Sequence, residues 1–423
     1  MQRAIFNKIR SKRAGSEALS SKSAKLTAAN CRNALAATAL LPLAICAFSV
    51  QAVEIAGSAG DWTIDVGGIV NAYYTPVSCS GDAVGGTALA GKGLGCDGET
   101  HKTTLGNGLL PSGLITKFKT TQDGIEIGGT IGIMVAAAAS SGVAPNTQID
   151  VRQAFFTLGT AEAGTLKIGR DYGIFGANAI LNDMTLLGAG APVQATQRGR
   201  VTLGHIGAGY TYLDNYGQFT YISPVMGGGF TFSAGIFSPV DNGGVGIEDY
   251  VSKAYPQVAA QLQYAAGGFK GWVGVKSQKF YGAAGSDAAG NNFNDTSGEI
   301  GASFTSGPFG LLVNYQDGKG IGILSDGDQG PVTGRNYLIQ GTYKLTDKLK
   351  FGLNYGQSHN QNNAFNMAAN AGFKDNDNVT GGLYYALTKS VTLVAELSET
   401  QSKDYFGDTA KMYGGSFGGI IFF

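Results

Sequence analysis

Apolar and polar residues alternate along most of this chain with a period of two, in segments of about ten residues bounded by turn residues. The segments are 62–74, 113–120, 125–135, 150–158 and 165–170, then 218–223, 230–237, 257–265, 269–281, 299–305, 311–317, 335–345, 348–358, 378–387, 390–400 and 412–423. Connections between them alternate long and short from first to last. Tight turns such as Thr121-Gln122-Asp123-Gly124 and Ala266-Gly267-Gly268 take turns with loops many residues longer. A chain that crosses a membrane up and down, with short periplasmic turns and long outer loops, has that rhythm; a soluble sandwich has no reason to keep it. Residues 201–212 also alternate, but an odd seventeenth strand would leave the chain ends on opposite sides. They are therefore assigned to a loop, 171–217, the longest connection. The expected fold is all-β, a sixteen-stranded transmembrane antiparallel barrel over 53–423.

Composition fits that expectation. Residues 1–33 carry eight Lys or Arg against the single acid Glu17, and an apolar run follows from Ala34 to Phe48. This reads as a secretory signal peptide, 1–52, cleaved after Ala52; about 15 apolar residues are too few for a spanning helix. No apolar run of spanning length follows it, so a closed barrel is the remaining way to satisfy backbone hydrogen bonds in lipid. Removal of the leader takes away eight basic side chains and one acidic, leaving a net charge of about −7. A concentrated basic face for nucleic acid is not expected. Cys79 and Cys96 remain, and in an oxidising compartment they are expected to pair and pin a loop; two free thiols is the other reading.

Counting back by twos from the end, Phe423, Ile421, Gly419, Phe417, Gly415 and Tyr413 form one apolar and aromatic face suited to lipid. Chemistry is sparse. His101, His205 and His359 lack metal-ligand spacing, no Ser and His couple is recognisable, and neither a cofactor nor enzymatic activity is expected. Asp326-Gly327-Asp328 and Asp375-Asn376-Asp377-Asn378 read as hydrophilic outer loops, with a divalent-ion site as the alternative.

The long loop holds no Lys or Arg from Asp171 to Gln197, whereas Arg152 and Arg170 precede it and Arg198 and Arg200 follow. Here the sequence resembles the Gram-negative general porins, trimeric sixteen-stranded outer-membrane channels. Asp65-Val66-Gly67-Gly68 looks like their first strand and Val151-Arg152-Gln153-Ala154-Phe155 like their fourth. Gly164-Thr165-Leu166-Lys167-Ile168-Gly169-Arg170-Asp171-Tyr172-Gly173 looks like their fifth strand entering the third loop, and Phe423 like their assembly signal. The resemblance implies that this loop narrows the bore, with Arg152 and Arg170 facing Asp171 and Asp183 across it, flanked by Arg198 and Arg200. Opposed charges across a narrow wet gap sort solutes by charge. It also implies an outer-membrane homotrimer among lipid and lipopolysaccharide, passing small hydrophilic solutes and ions.

Two departures stand out. Gly68 and Ile115 occupy positions where basic lumen residues are often found. The loop is also apolar, through Ile174, Phe175, Ile180, Leu181, Met184, Leu186 and Leu187, which suits packing against the wall or a slide for an apolar solute. Passive diffusion is the first expectation. A substrate-specific channel and a barrel-anchored adhesin are the alternatives.

Overall fold

A computed structural model describes residues 53–54, 61–82, 84–89, 92–94, 99–137, 149–190, 202–239, 250–252, 254–286, 288–361 and 373–423. The expected signal peptide, Cys96, Arg198 and Arg200 lie outside these residues.

Sixteen antiparallel strands close into a barrel. They are β1 (Thr63–Gly81), β2 in two pieces (His101–Gly106 and Ser112–Gln122), β3 (Ile125–Val135), β4 (Asp150–Thr160) and β5 (Gly164–Tyr172). Then come β6 (Asn215–Ile222), β7 (Phe230–Phe237), β8 (Gln257–Ala266), β9 (Phe269–Gly282), β10 (Asn292–Ser306) and β11 (Phe309–Lys319). Last are β12 (Thr333–Lys344), β13 (Leu349–Asn360), β14 (Asp375–Ala386), β15 (Val391–Lys403) and β16 (Thr409–Phe422). Each strand pairs with its sequence neighbours, and β1 joins β16 in register from Ile69 with Phe422 to Gly81 with Ala410. Phe423 extends the seam, its N–H donating to Gly68 O at 3.1 Å and its carbonyl accepting from Gly68 N at 2.8 Å. Closure leaves no free sheet edge, as lipid demands.

Each predicted segment lies on a strand, and residues 202–214 form none, which agrees with the parity argument. The two faces separate cleanly. On β15 Leu393 and Leu397 are exposed, while Val394, Glu396, Ser398 and Thr400 between and beside them are buried. Tyr413, Phe417, Ile421 and Phe423 are all exposed, so the apolar face of the last strand looks outward. Aromatic rings mark both edges of the outer band: Phe230, Tyr264 and Phe269 gather near the short turns, with ring centroids 4.8 and 6.2 Å apart. Tyr337 and Tyr355 stand 6.2 Å apart toward the other end. Such girdles sit at lipid headgroups.

Two placements differ from expectation. Gly68 shares the outward parity of Val70, and a side chain there would collide with the outward Phe423 ring, so it is no lumen position. Asp375, Asp377 and Asn378 lie on β14 rather than in an outer loop. Asp375 accepts from or pairs with His359 Nδ1 at 2.7 Å, and Asp377 accepts from Tyr355 and Gln357. Cys79 is disulfide-bonded.

Candidate functional site

The described residues of the connection from β5 to β6, 173–190 and 202–214, fold into the bore. Its apolar side chains Ile174, Phe175, Ile180 and Met184 are buried, and Ala177, Ala179, Ile180, Ile206 and Tyr210 form one cluster with Trp272, Leu312 and Leu338 of the wall. The greasy composition thus serves packing. One helical turn and a half, α1 (Ala177–Asn182), is followed by a 3-10 turn, Met184–Leu187. Gly176 opens the helix at φ 79°, a left-handed conformation that glycine adopts freely, and its N–H donates to Glu299 Oε2 at 3.0 Å.

Polar side chains of the opposite wall tie the loop down. Asn178 Nδ2 donates to Gln261 Oε1 at 2.8 Å on β8, and Gln261 Nε2 donates to Ile174 O at 3.1 Å. Gln340 on β12 accepts from Met184 N at 2.7 Å and donates to Asn182 O at 2.9 Å. Glu396 on β15 accepts from Ala189 N at 2.7 Å and Gly190 N at 2.9 Å, and Tyr384 Oη donates to it at 2.6 Å. Tyr73 Oη donates to Leu187 O at 2.6 Å from β1. Further on, Thr211 N donates to Gln316 Oε1 at 2.9 Å, and Asn376 Nδ2 donates to Gly207 O at 2.6 Å. Each such bond contributes about 1 kcal/mol and those to carboxylates about 1.5–3. Backbone groups buried without a partner would cost more than that, which is why the wall at this level is Gln, Asn and Glu rather than apolar.

The candidate charges are placed as follows. Arg152 sits where the β3–β4 register shifts between Gly132 and Ile133, so that Arg152 and Gln153 both turn away from the lipid-facing parity of Val151 and Ala154. Its Nε donates to Asp150 Oδ2 at 2.8 Å and its guanidinium reaches Tyr212 Oη of the loop at 3.4 Å. Arg170 does not face the lumen. It is exposed, shares the parity of the outward Leu166, pairs with Ala154, and donates to Val151 O at 3.0 Å. Asp171 belongs to β5, not to the loop, and is buried against Lys167 Nζ and Gln153 Nε2, the latter at 2.9 Å. The inward base of β5 is therefore Lys167. Counting by twos from Leu166 and Ile168 would have revealed it, since Lys167 and Asp171 fall on the opposite face.

Asp183 lies inside the loop and is buried rather than facing a gap. It caps the 3-10 turn by accepting from Thr185 N at 2.9 Å, accepts from Tyr210 Oη at 2.7 Å and Asn354 Nδ2 at 3.2 Å, and lies 3.4 Å from His205 Nδ1. Burial alone would push its carboxyl up, but His205, Tyr210 and the Thr185 N–H together hold it below the ordinary value. Ile115 is turned inward, as expected, and packs against Ile69, Ile420, Phe422 and Leu187.

A second connection, 320–332, turns inward, contrary to what its hydrophilic composition suggests. Asp326 and Asp328 are buried, not exposed in an outer loop. Asp326 pairs with Lys276 and accepts from Tyr216 Oη at 3.2 Å. Asp328 accepts from the N–H groups of Ile323 and Leu324 at 2.8 Å each. Burial pushes Asp328 up to about 6 and Asp214, at the end of the long loop, likewise to about 6. Among the described residues no cluster of three or more His, Cys, Asp or Glu could hold a metal ion. The two loops meet where Tyr212 N donates to Ile323 O at 2.8 Å and Ser325 Oγ donates to Asp214 Oδ2 at 3.1 Å.

A closed barrel with an apolar exterior between aromatic girdles, a polar bore and an inward-folded loop is the architecture of an outer-membrane channel. Residues 34–405 match the Gram-negative porin family, and the chain belongs to that family. The fold is similar to the outer-membrane channel DcaP of Acinetobacter baumannii, at TM-score 0.63 and 16% identity over 87% of this chain and 99% of that one. It is similar too to Salmonella typhi OmpF in complex with daunomycin, at 0.57 and 16% over 85% and 98%, and to OmpT of Vibrio cholerae, at 0.54 and 15% over 88% and 100%. No curated protein sequence matches the chain. The protein is thus an outer-membrane porin of the passive-diffusion kind, and its family and fold are those of channels rather than enzymes.

Proposed function

We propose that the loop 173–214 is the constriction of this channel, setting which small hydrophilic solutes and ions pass. The observation that carries the reading is its attachment to the far wall at Gln261, Gln340 and Glu396, which spreads one connection across the bore. Of the charges that the resemblance puts at the gap, Arg152 is the wall residue that reaches the loop; Asp183 acts by holding loop backbone through Thr185 N, and Asp171 is bound to the side chains of Gln153 and Lys167. Arg198 and Arg200 keep their proposed place at the loop's return on the basis of sequence alone. Family membership supports a homotrimer surrounded by lipid and lipopolysaccharide, with the terminal Phe423 as assembly signal.

Deletion of 175–187, reconstituted in a planar bilayer, tests the reading. Conducting steps from the wild type, and larger steps from the deletion, are expected. Equal steps from both would place the constriction elsewhere.

A further inference from the structure

Resting on the channel reading above, we propose that a set of inward lysines at the periplasmic mouth makes this porin prefer small anions, with carboxylate or phosphate solutes as the class it admits best. Strand parity places five lysines on the bore side of the short-turn end. Lys117 and Lys119 on β2 share the parity of the inward Ile115, and Lys270 on β9 shares that of the buried Trp272. Lys344 on β12 and Lys350 on β13 share those of the buried Gln340 and Asn354. None of the five has an ion-pair partner among the described residues; among the described side chains, Asp65, the cross-strand partner of Lys117, and Glu126 are the acids on inward strand positions at the same end. Charges on the turns beyond, such as Asp123 and Asp347, stand in bulk solvent, where salt screens them within about 10 Å.

Lys344 and Lys350 are the sharpest feature. They are direct cross-strand partners on one face, a like-charge arrangement that costs stability and brings no structural return. Lys350 Nζ stands 5.0 Å from the Tyr384 ring centroid, which fixes one ammonium of the pair. An anion passing between them relieves the repulsion.

The acids of the bore do not counter this field. Asp171 is bound to Lys167, Asp326 and Asp295 share Lys276, and Glu299, Glu396 and Asp183 accept from loop N–H groups. Their charge is already met at short range by donors, whereas that of the lysines is open to solutes. A charged ring with low-dielectric walls concentrates ions of opposite sign.

Reversal potential in a KCl gradient tests the inference. The wild type is expected to favour chloride over potassium by roughly twofold or more, and a variant with Lys117, Lys119, Lys344 and Lys350 changed to Gln to lose most of that preference. The corresponding Arg variant, which keeps charge and bulk, is expected to retain it and controls for misfolding. A wild type that favours potassium or neither ion, or a Gln variant with unchanged reversal potential, overturns the inference while leaving the channel standing. A bilayer that stays silent with wild-type protein overturns the channel reading and the inference together.

Discussion

The Asp183 carboxylate stands 3.4 Å from Nδ1 of His205, with neither side chain exposed. These residues come from the two limbs of one loop, so their contact holds the outgoing and returning chain together inside the bore, with Tyr210 and Thr185 N as further donors. Asp183→Ala removes the acceptor of all three and of Asn354 Nδ2, and leaves buried donors behind. The loop is expected to lose about 3–5 kcal/mol of local stability while the barrel melts as before. Hydrogen exchange of the amides of 183–190 and 202–212 reads it, together with excess noise in single-channel current. Because Asp183 is held below its ordinary value, its contribution is present above pH ~3.9 and is lost as pH falls through the lower folded value.

Asp214 has the opposite sign. Burial pushes its carboxyl up to about 6, so the folded loop binds a proton more readily than the unfolded chain. Its stabilising effect is complete below pH ~3.9 and is lost as pH rises through about 6. Asp214→Asn keeps the acceptor for Ser325 and tolerates the residue's φ of 53°. The variant is expected to protect the 212–216 amides better than wild type at pH 7, with the difference gone at pH 4. Equal protection at both values would mean that Asp214 does not titrate in this window.

Glu396 joins the loop to β15 through two backbone N–H groups. Glu396→Ala leaves those N–H groups and the Tyr384 hydroxyl without their acceptor, a local loss of about 3 kcal/mol or more. The expected outcome is a loop that swings from the wall near Ala189, read as a change in single-channel conductance with Tm unaltered. A Gln at this position keeps one acceptor oxygen and is expected to restore most of the wild-type conductance.

The barrel was legible because lipid imposes a strict period of two, and the rhythm of long and short connections fixed its topology. Strand number followed from parity, which kept 201–212 out of the sheet. Orientation of single charged residues was harder. The resemblance implies an inward Arg170, although alternation with Leu166 and Ile168 puts it on the outer face. Arg152 faces the loop through a bulge that a regular alternation cannot foresee. Gln261, Gln340 and Gln316 are neutral and carry no charge signal in the sequence, yet they make the wall contacts, since what a buried loop needs is partners for its backbone donors and acceptors. Asp326 and Asp328 are buried because their connection turns into the bore, a direction that hydrophilic composition does not encode.

The outer face offers the plainest test of which side of β16 meets lipid. Phe417 is exposed on the apolar face that continues to Ile421 and Phe423, pairing with Tyr74 on β1 and Ala395 on β15, and both of those also look outward. Near the middle of the strand, an arginine there must bring its guanidinium into hydrocarbon or drag water and headgroups inward. Phe417→Arg is expected to cost about 2–4 kcal/mol. Ser416→Arg, one residue away on the bore side, meets water and is expected to act by steric conflict with Thr75, its 3.0 Å hydrogen-bond partner, and by altered conductance rather than by lost membrane stability. Folding titrations in urea with lipid vesicles compare the two. If Phe417→Arg refolds into vesicles as well as wild type, β16 does not present this face to lipid.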